Sequence, residues 1–383
     1  MFLRSLNLLL VCILSIGAAY AQNFRINHGP YLQEVTAERV TIVFTTSERS
    51  VAYVELCSPT DTVVLYQKMD GLVAADTTFF SIKAEGLTPA TRYTYRIHAK
   101  EIVSFRPYKV EFGETVCSDE YTFTTLDPKQ QGGSFFATSD MHDRPALLAK
   151  LLRACDYESC DGFFFVGDMM GHFERNGNTP FSSFIDTCVN LFATEKSFHW
   201  VRGNHETRGN LARHFSRYAP QTSGQIYGAQ RIGDAMIVML DVGEDKADSH
   251  NVYAGLIDFD AYRSEQAEWL KQVVRSKEFR KAKYRIVMSH FPILAYDGLK
   301  DWKGCEDAYL KFLPILNDAK IDVMISGHTH RLRYDPVGQS DNAYPVLEQG
   351  HKNATRIDLK DGKIHLSVRD AEGVEVFSQV IGK

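Results

Sequence analysis

The pattern that decides the fold is clearest at residues 323–330, which read VMISGHTH. A short apolar run of this kind is typical of a strand buried on both faces, and His328 and His330 follow it almost at once. A similar order occurs at residues 163–168, FFFVGD, where a carboxylate follows the apolar run. Such strands alternate with helical patterns in this part of the chain. The sequence therefore predicts a layered α/β domain in which helices flank the sheets.

The α/β domain is predicted to occupy residues 134–383. Its predicted elements include helices over 144–153, 180–193 and 264–281, a return to strands after residue 344, and hairpin turns at Asp361-Gly362 and Glu372-Gly373. Before it, residues 127–133, DPKQQGG, have the composition of a linker and are predicted to form a hinge.

Residues 22–127 have a different pattern, because about seven short runs rich in β-branched and aromatic residues are separated by turn-prone clusters. This spacing predicts an all-β sandwich. Residues 87–93, LTPATRY, resemble the entry to a late strand of a fibronectin type III domain. A charged or metal-binding constellation is missing from this stretch of sequence, so a structural module is the favoured interpretation.

Residues 1–21 are predicted to be a signal peptide. A basic start is followed by a nearly unbroken apolar run at residues 8–16 and by Ala19-Tyr20-Ala21, which places the cleavage before Gln22. The alternative is a membrane anchor, but the run is shorter than the roughly 20 residues that span a bilayer. We therefore expect a secreted or periplasmic protein with no membrane span after cleavage.

Charge and cysteine content exclude some classes of function. The chain has 383 residues, with Lys+Arg 43 and Asp+Glu 48, so its net charge is −5 and no nucleic-acid-binding surface is evident. A bound metal could still supply positive charge for an anionic substrate. Cys155 and Cys160 are close enough in sequence to form a disulfide, and two buried free thiols are the equally favoured alternative.

Polar side chains follow five strand-like apolar runs. They are Asp140 and His142, then Asp168, then Asn204 and His205, then His290, and finally His328 and His330. In open α/β sheets the ligand site lies beyond the carboxyl ends of the strands, so we expect these distant residues to converge. Glycines directly precede Asp168, Asn204 and His328, where they would let the backbone turn sharply and approach closely.

The residue types indicate metal binding. Two Asp, one Asn and four His supply oxygen and nitrogen ligands suited to Zn, Fe, Mn or Co: Asp140, His142, Asp168, Asn204, His290, His328 and His330. Seven ligands are too many for one open tetrahedral site. If one Asp bridges, they supply four contacts to each of two ions. Two such ions can hold a nucleophilic hydroxide between them and neutralise a phosphoryl group.

These motifs together resemble the signature of the metallophosphoesterase (calcineurin-like phosphoesterase) family over residues 134–336. Residues 29–33, GPYLQ, and 39–42, RVTI, are also similar to the β-sandwich that precedes the catalytic domain of purple acid phosphatases. The resemblance implies one ion on Asp140, His142 and His330, a second on Asn204, His290 and His328, and Asp168 bridging both. It also implies that His205 protonates the leaving-group oxygen and that a bridging hydroxide attacks phosphorus.

Two positions depart from the purple acid phosphatases. They carry a tyrosine three residues after the bridging aspartate, where this chain has Gly171, and they lack a histidine at the position of His142. Metal identity is therefore open. Related protein phosphatases place an aspartate at the position of Gly171 to orient the catalytic histidine, which glycine cannot do because it has no side chain. Glu206 either orients His205 or is a solvated neighbour.

Residues around the motifs have competing interpretations. Arg202 and Arg208 either contact phosphate or form surface salt bridges, and His172 and His250 lie in loops that could rim the site. Histidines outside the motifs are expected to be structural: His28, His98 and His365. The loops at 171–180 and 295–307 are expected to set substrate specificity.

The favoured function is a secreted, metal-dependent phosphoester hydrolase that acts on a small phosphoester. A carbohydrate- or surface-binding protein on a non-catalytic α/β scaffold is the alternative from another class. A missing ligand would favour that alternative, and none of the seven is missing. Phosphomonoesterase, phosphodiesterase and nucleotidase activities remain open, as does the oligomeric state.

Overall fold

The computed structural model describes residues 23–174, 179–221 and 223–382. The predicted signal peptide, residues 1–21, lies outside the described residues. Among the residues described, no helix has both the length and the apolar character needed to cross a membrane.

The N-terminal region is all-β. Its strands are β1 (Ile26–Gln33), β2 (Arg39–Cys57), β3 (Thr62–Leu65), β4 (Lys68–Met69), β5 (Leu72–Val73), β6 (Thr77–Glu85), β7 (Arg92–Arg106), β8 (Lys109–Cys117) and β9 (Tyr121–Thr124). The described residues thus contain nine strands here where about seven were predicted. The all-β prediction is confirmed.

One long strand, β2, organises this region. Its first half pairs with β1 and β6, whereas its second half pairs with β3 and β7. Side chains from both halves, such as Phe44 and Val54, are nonetheless buried in the same hydrophobic core. The sheet therefore folds back on itself along β2 and encloses that core.

The remaining elements alternate between strands and helices. The strands are β10 (Gly133–Thr138), β11 (Gly162–Val166), β12 (Phe198–Val201), β13 (Gly228–Ile232), β14 (Ala235–Leu240), β15 (Tyr284–Ser289), β16 (Val323–Ser326), β17 (Arg333–Asp335), β18 (Val346–Glu348), β19 (Asn353–Lys360), β20 (Lys363–Asp370) and β21 (Glu375–Ile381). The α-helices are α1 (Pro145–Ala154), α2 (Asp186–Cys188), α3 (Phe215–Tyr218), α4 (Phe259–Arg275), α5 (Lys277–Lys281) and α6 (Lys303–Asp318). Two π-helical turns, Phe181–Ile185 and Val189–Ala193, flank α2, and 3₁₀ turns occur at Tyr157–Ser159, His205–Thr207, Ala212–His214, Asn251–Tyr253 and Leu299–Asp301.

Two six-stranded sheets form the centre of this domain. Their strand orders are β12-β11-β10-β19-β20-β21 and β13-β14-β15-β16-β18-β17. Side chains such as Phe164 and Ile237 fill the core between the sheets. A second core lies against α1 and the segment around α2, and a third lies against α4 and α6. The predicted layered α/β architecture, with helices flanking the sheets, is confirmed.

The predicted helix over 144–153 agrees with the structure, and the one over 180–193 consists of α2 between two π-helical turns. The predicted helix over 264–281 differs at its start, because α4 begins at Phe259, and again near residue 276. The chain leaves helical geometry at Ser276, with φ −63° and ψ 155°, and the predicted helix over 264–281 is therefore two helices, α4 and α5. The Ser276 side chain then accepts a hydrogen bond from the Phe279 amide and caps α5. Both predicted hairpins occur, between β19 and β20 and between β20 and β21.

The two regions joined by the predicted hinge pack directly against each other. The His28 ring stacks on Phe181 at 4.3 Å between centroids, and its Nδ1 lies 3.0 Å from an Asp186 carboxylate oxygen. Tyr31 is fully buried and donates its hydroxyl to the carbonyl of Tyr218. Gln33 donates its side-chain amide to the carbonyl of Phe198. His28 is thus structural, as expected.

Cys155 and Cys160 are free, buried thiols, so the disulfide alternative does not hold in the structure. Their sulfur atoms contact different backbone carbonyls, those of Ala354 and Asp156. Burial raises the pKa of both thiols, to about 12 for Cys155 and about 11 for Cys160. Neither is suited to nucleophilic chemistry.

Candidate metal centre

The five polar clusters converge beyond the carboxyl ends of β10, β11, β12, β15 and β16. Ligand atoms of one group lie within 4.8 Å of one another: Asp140, His142, Asp168 and His330. A second group of the same kind contains Asp168, His290 and His328. Asp168 belongs to both groups. We call the first group the first position and the second group the second position.

Asn204 completes the second position. Its side-chain oxygen lies 3.1 Å from His290 Nε2 and 3.2 Å from His328 Nδ1. Each position then has four candidate ligands, with Asp168 shared between them. This is the distribution that the ligand count predicted, although the metal-binding role of each residue stays a prediction.

The spacing of the donor atoms fits metal ions. His142 Nε2 lies 3.1 Å from His330 Nε2, Asp140 Oδ1 lies 3.3 Å from His330 Nε2, and Asp168 Oδ2 lies 3.2 Å from His290 Nε2. At bond lengths of about 2.1 Å, neighbouring ligands of one ion stand about 3.0–3.4 Å apart. Carboxylate, amide and imidazole donors with no thiolate suit borderline divalent ions. The residues present therefore fit a pair of transition-metal ions.

The backbone that presents these ligands is strained. Five of the seven have left-handed φ angles: Asp140 at 55°, His142 at 42°, Asp168 at 54°, His328 at 73° and His330 at 60°. Non-glycine residues adopt such angles rarely, and they cluster at functional sites. The backbone therefore turns sharply mainly at the ligand residues themselves.

Two of the glycines that precede ligands are required for different reasons. Gly167 has φ 86°, and a Cβ there would overlap the His290 ring. Gly203 allows a close approach instead, because a Cβ on it would overlap the Asp168 carboxylate and amide. The prediction of tight turning holds for Gly167. The prediction of close packing holds for both and also for Gly327, where a Cβ would overlap Ser139 and Asp140.

Glu206 is neither a solvated neighbour nor the residue that orients His205. Its side chain is fully buried and accepts backbone hydrogen bonds from Asp168, Met169 and Gly203 at 2.7–2.9 Å. It thereby ties the turn after β11 to the turn after β12. Burial and the nearby Asp168 charge raise the pKa of Glu206 to about 7.

Every ligand specific to the second position has a partner on its far side. His290 Nδ1 lies 2.8 Å from the Val166 carbonyl oxygen, to which it can donate. Asn204 donates its amide to Asp245 Oδ2 at 3.4 Å, which directs its oxygen toward the histidines. His328 Nε2 contacts the buried Cys305 sulfur at 3.7 Å. Such partners fix the orientation of metal ligands.

The pKa values in the cluster depend on burial and on Asp168. Burial lowers the pKa of His142 to about 4 and, helped by His290, that of His328 to about 3. Burial alone would also lower the pKa of His290, but the adjacent Asp168 carboxylate raises it to about 10. In turn, burial would raise the pKa of Asp168, and the charge of His290 instead lowers it. His142 and His328 therefore keep free lone pairs at neutral pH.

His205 borders the cluster without belonging to either position. Its Nε2 lies 3.9 Å from Asp168 Oδ2, and its ring packs edge-on against His142 at 4.7 Å. Its Nδ1 lies 2.6 Å from the carbonyl oxygen of Gly171. The backbone carbonyl of Gly171 therefore orients His205, in place of a side chain.

Neither of the two arginines beside residues 203–206 forms a simple surface salt bridge. Arg202 is buried and forms a two-point ion pair with Asp241, at 3.1 and 2.7 Å, so it is not available to phosphate. Arg208 is held by Glu244 at 3.1 and 2.9 Å, and its third nitrogen, Nη1, lies 3.2 Å from His205 Nε2. Arg208 thus reaches the candidate site, whereas Arg202 does not.

Of the two candidate rim histidines, the structure brings one near the site. The His172 ring lies 6.2 Å from that of His205. His250 is exposed and caps the turn at Asn251–Tyr253 by accepting a hydrogen bond from the Val252 amide. Residues 175–178 of the predicted specificity loop at 171–180 lie outside the described residues.

Sequence reasoning missed the acidic segment after β14. Asp241, Glu244 and Asp245 follow an apolar strand just as the metal ligands do, and all three are buried. They hold Arg202, Arg208 and Asn204. The rule that found the other five clusters would have found this sixth one.

Comparison with known proteins agrees with this geometry. The calcineurin-like phosphoesterase family matches residues 133–332. A sequence search matches none of the curated proteins. Among solved structures, a purple acid phosphatase from yellow lupin (Lupinus luteus) seeds has a TM-score of 0.67 at 15% identity, covering 92% of this chain and 74% of the other. PhoD has a TM-score of 0.61 at 13% identity, covering 92% and 88%.

The two structural similarities concern the fold. They extend over most of the chain, so the all-β region is included in them together with the α/β domain. The family match covers the segment in which all five polar clusters lie. The chain therefore belongs to the calcineurin-like phosphoesterase family and is a hydrolase of phosphoric ester bonds.

Proposed function

We propose that this chain is a secreted hydrolase of small phosphoesters that uses two metal ions bridged by Asp168. The observation that carries the proposal is the place of Asp168 in both ligand groups. A carboxylate shared in this way sets two ions close together, which is the arrangement of two-metal phosphoester hydrolysis. The match to the phosphoesterase family supports the same reaction class.

The ions would supply a nucleophile by lowering the pKa of water and would offset the charge of the phosphoryl group. The residues of the chain supply the rest. Because His205 Nδ1 faces the Gly171 carbonyl, that nitrogen carries a proton, and Nε2 is the atom that faces the site. A second proton on Nε2 would be donated to the leaving-group oxygen. Arg208 Nη1 lies beside this atom and is placed to donate to an oxygen of the bound phosphoester.

The proposal also includes the N-terminal part of the chain. We assign residues 1–21 to a cleaved signal peptide, 22–127 to a fibronectin type III-like sandwich and 134–383 to the catalytic domain. Support for the sandwich comes from the way β2 pairs with different strands on its two halves around one core. The fold similarity to the lupin enzyme covers 92% of this chain and is consistent with that arrangement.

A non-catalytic binding protein is the weaker alternative. All seven candidate ligands are present and lie together, and burial keeps His142 and His328 in the neutral form that metals require. A degenerate scaffold would have no need for five strained ligand backbones. These observations favour the enzyme.

The test combines metal analysis with a substrate panel. Protein purified without chelator should contain about two transition-metal ions per chain. It should hydrolyse at least one class among phosphomonoesters, phosphodiesters and nucleotides, and the activity should disappear on chelation and return with metal. A pure protein with two ions that hydrolyses no phosphoester would overturn the proposal, as would full activity with a single ion.

A further inference from the structure

One exposed aromatic side chain borders the candidate metal centre. Trp302 is 42% exposed, and its ring lies 6.1 Å from the ring of His328, edge-on. Elsewhere on a protein surface a single exposed apolar side chain needs no explanation. Here the exposed indole lies beside a residue of the second position, where it could contact a group attached to a bound phosphoryl group.

The backbone around Trp302 is fixed. The Trp302 amide donates to the Leu299 carbonyl at 3.2 Å, and its own carbonyl accepts from Glu306 at 2.9 Å in the first turn of α6. Two residues further, Gly304 donates to the Asp245 carbonyl at 2.7 Å. The same Asp245 contacts Asn204 of the second position, so the indole and the metal ligand are held by one segment.

Lys246 constrains the ring itself. Its ammonium lies 5.4 Å from the centre of the Trp302 ring and 2.7 Å from Asp245 Oδ1. A cation held over an aromatic face is attracted by the ring. This contact restrains the indole from the side of Lys246, and Trp302 as a whole stays 42% exposed. A rigid, exposed aromatic surface is what a planar ligand group stacks on at low entropic cost.

We propose that Trp302 is a specificity-determining residue that stacks on a planar ring in the ester group of the substrate. This inference rests on the proposed function. Because the Trp302 ring lies 6.1 Å from the ring of His328, a planar group stacked on it would be separated from phosphorus by a spacer. A nucleoside phosphate, whose sugar joins the base to the phosphoryl group, has this form. Phenyl phosphate has the ring without the spacer.

The experiment compares three substrates in three variants. Adenosine 5′-monophosphate, phenyl phosphate and glycerol 3-phosphate would be tested with Trp302→Ala, Trp302→Phe and Leu310→Ala. Leu310 is the matched control, since it is an exposed apolar residue of α6, the helix that Trp302 directly precedes, and is 62% exposed. Thermal unfolding of each variant checks that it is folded.

Stacking acts alike on bound substrate and transition state, so its loss should raise KM with little change in kcat. We expect Trp302→Ala to raise KM for adenosine 5′-monophosphate roughly tenfold and to lower its preference over glycerol 3-phosphate by the same factor. Trp302→Phe should retain most of this preference, and Leu310→Ala should leave it unchanged. Trp302→Ala should raise KM less for phenyl phosphate than for adenosine 5′-monophosphate.

The outcomes separate the two proposals. If the wild-type protein hydrolyses none of the three substrates and no other phosphoester, the proposed function fails and the inference fails with it. If the wild-type protein hydrolyses a phosphoester but Trp302→Ala changes all substrates equally or changes none, only the stacking inference is overturned. A wild-type enzyme that hydrolyses glycerol 3-phosphate and rejects the nucleotide overturns the stacking inference as well.

Discussion

The first and second positions share Asp168 and differ in how their other ligands are supported. At the second position His290 is fully buried and Asn204 is nearly so, and each bonds to a partner on its far side. At the first position the side chains of His142 and His330 are 22% and 47% exposed. Their support comes mainly from the backbone, as in the hydrogen bond from the His142 amide to the Asp168 carbonyl.

This difference concerns exchange of the bound ions. A ligand whose orientation is fixed by a buried partner keeps its metal longer than a ligand that can rotate into solvent. The second position should therefore hold its ion more firmly, and the first should exchange its ion more readily. Four experiments test this comparison.

Asp168→Ala should have the largest effect because both positions lose a ligand. We expect the metal content to fall to less than one ion per chain and turnover to fall by more than about 10⁴-fold, since nucleophile and charge compensation both depend on the ions. Elemental analysis and steady-state kinetics measure this. Asp186→Ala, which alters a carboxylate paired with His28 far from the cluster, is the control. A variant that still holds two ions would show that Asp168 does not bridge.

His205→Ala separates the chemistry from both positions. His205 touches Asp168 and His142 without being a ligand, so metal content should be unchanged while turnover falls by roughly 10²–10⁴-fold. The loss should be smaller for 4-nitrophenyl phosphate, whose leaving group needs little protonation. His172→Ala is the matched control. An equal loss for good and poor leaving groups would argue against an acid role.

Asp245→Ala should affect the second position alone. Without Asp245 the Asn204 amide can rotate, and we expect the affinity for one ion to weaken by about 10–100-fold while the other is unaffected. Calorimetric titration of the metal-free protein measures both affinities. Lys246→Ala removes the ion pair to Asp245 but leaves the contact to Asn204, so it should change the affinities little. Equal weakening at both positions would contradict the assignment of Asp245.

Chelation of the unmodified protein should show the smallest of the four effects, a difference between the release rates of the two ions. One ion should leave roughly tenfold faster than the other, because His142 and His330 at the first position are more exposed than His290 and Asn204 at the second. Stopped-flow measurement with a coloured chelator would resolve the two phases, and Asp245→Ala should bring their rates together. Simultaneous release from the unmodified protein would show that the two positions are equally stable.

The sequence predicted the residues of the cluster better than the contacts that hold them in place. Each of the five motifs combined an apolar run with polar residues at its end, a pattern that follows from burial in a parallel sheet and is visible without coordinates. The partner of His205 is the carbonyl of Gly171. Because every residue has a backbone carbonyl, the residue type at position 171 could not indicate this contact. The sequence left Glu206 open between orienting His205 and being a solvated neighbour, because only the tertiary structure brings four loop amides around its carboxylate.

For the fold as well, local sequence patterns predicted the elements but not the contacts between distant segments. Alternating patterns predicted the N-terminal strands, but they did not reveal that β2 continues through a bend and serves two sets of partners. The hinge was inferred from the composition of residues 127–133. Composition could not show that Tyr31 and His28 would be buried against the α/β domain, because that contact depends on how two separate regions fit together.

The contact between Gln33 and Phe198 has a consequence for handling the protein. Phe198 belongs to β12, the outermost strand of its sheet, and Gln33 occupies one of its carbonyl groups. An uncovered outer strand is a template for pairing with other chains, and natural proteins protect such edges. The N-terminal region therefore protects part of the β12 edge against pairing with other chains. A truncated chain that begins at residue 134 would expose this edge, and we expect it to aggregate even if its ligands could still bind metal.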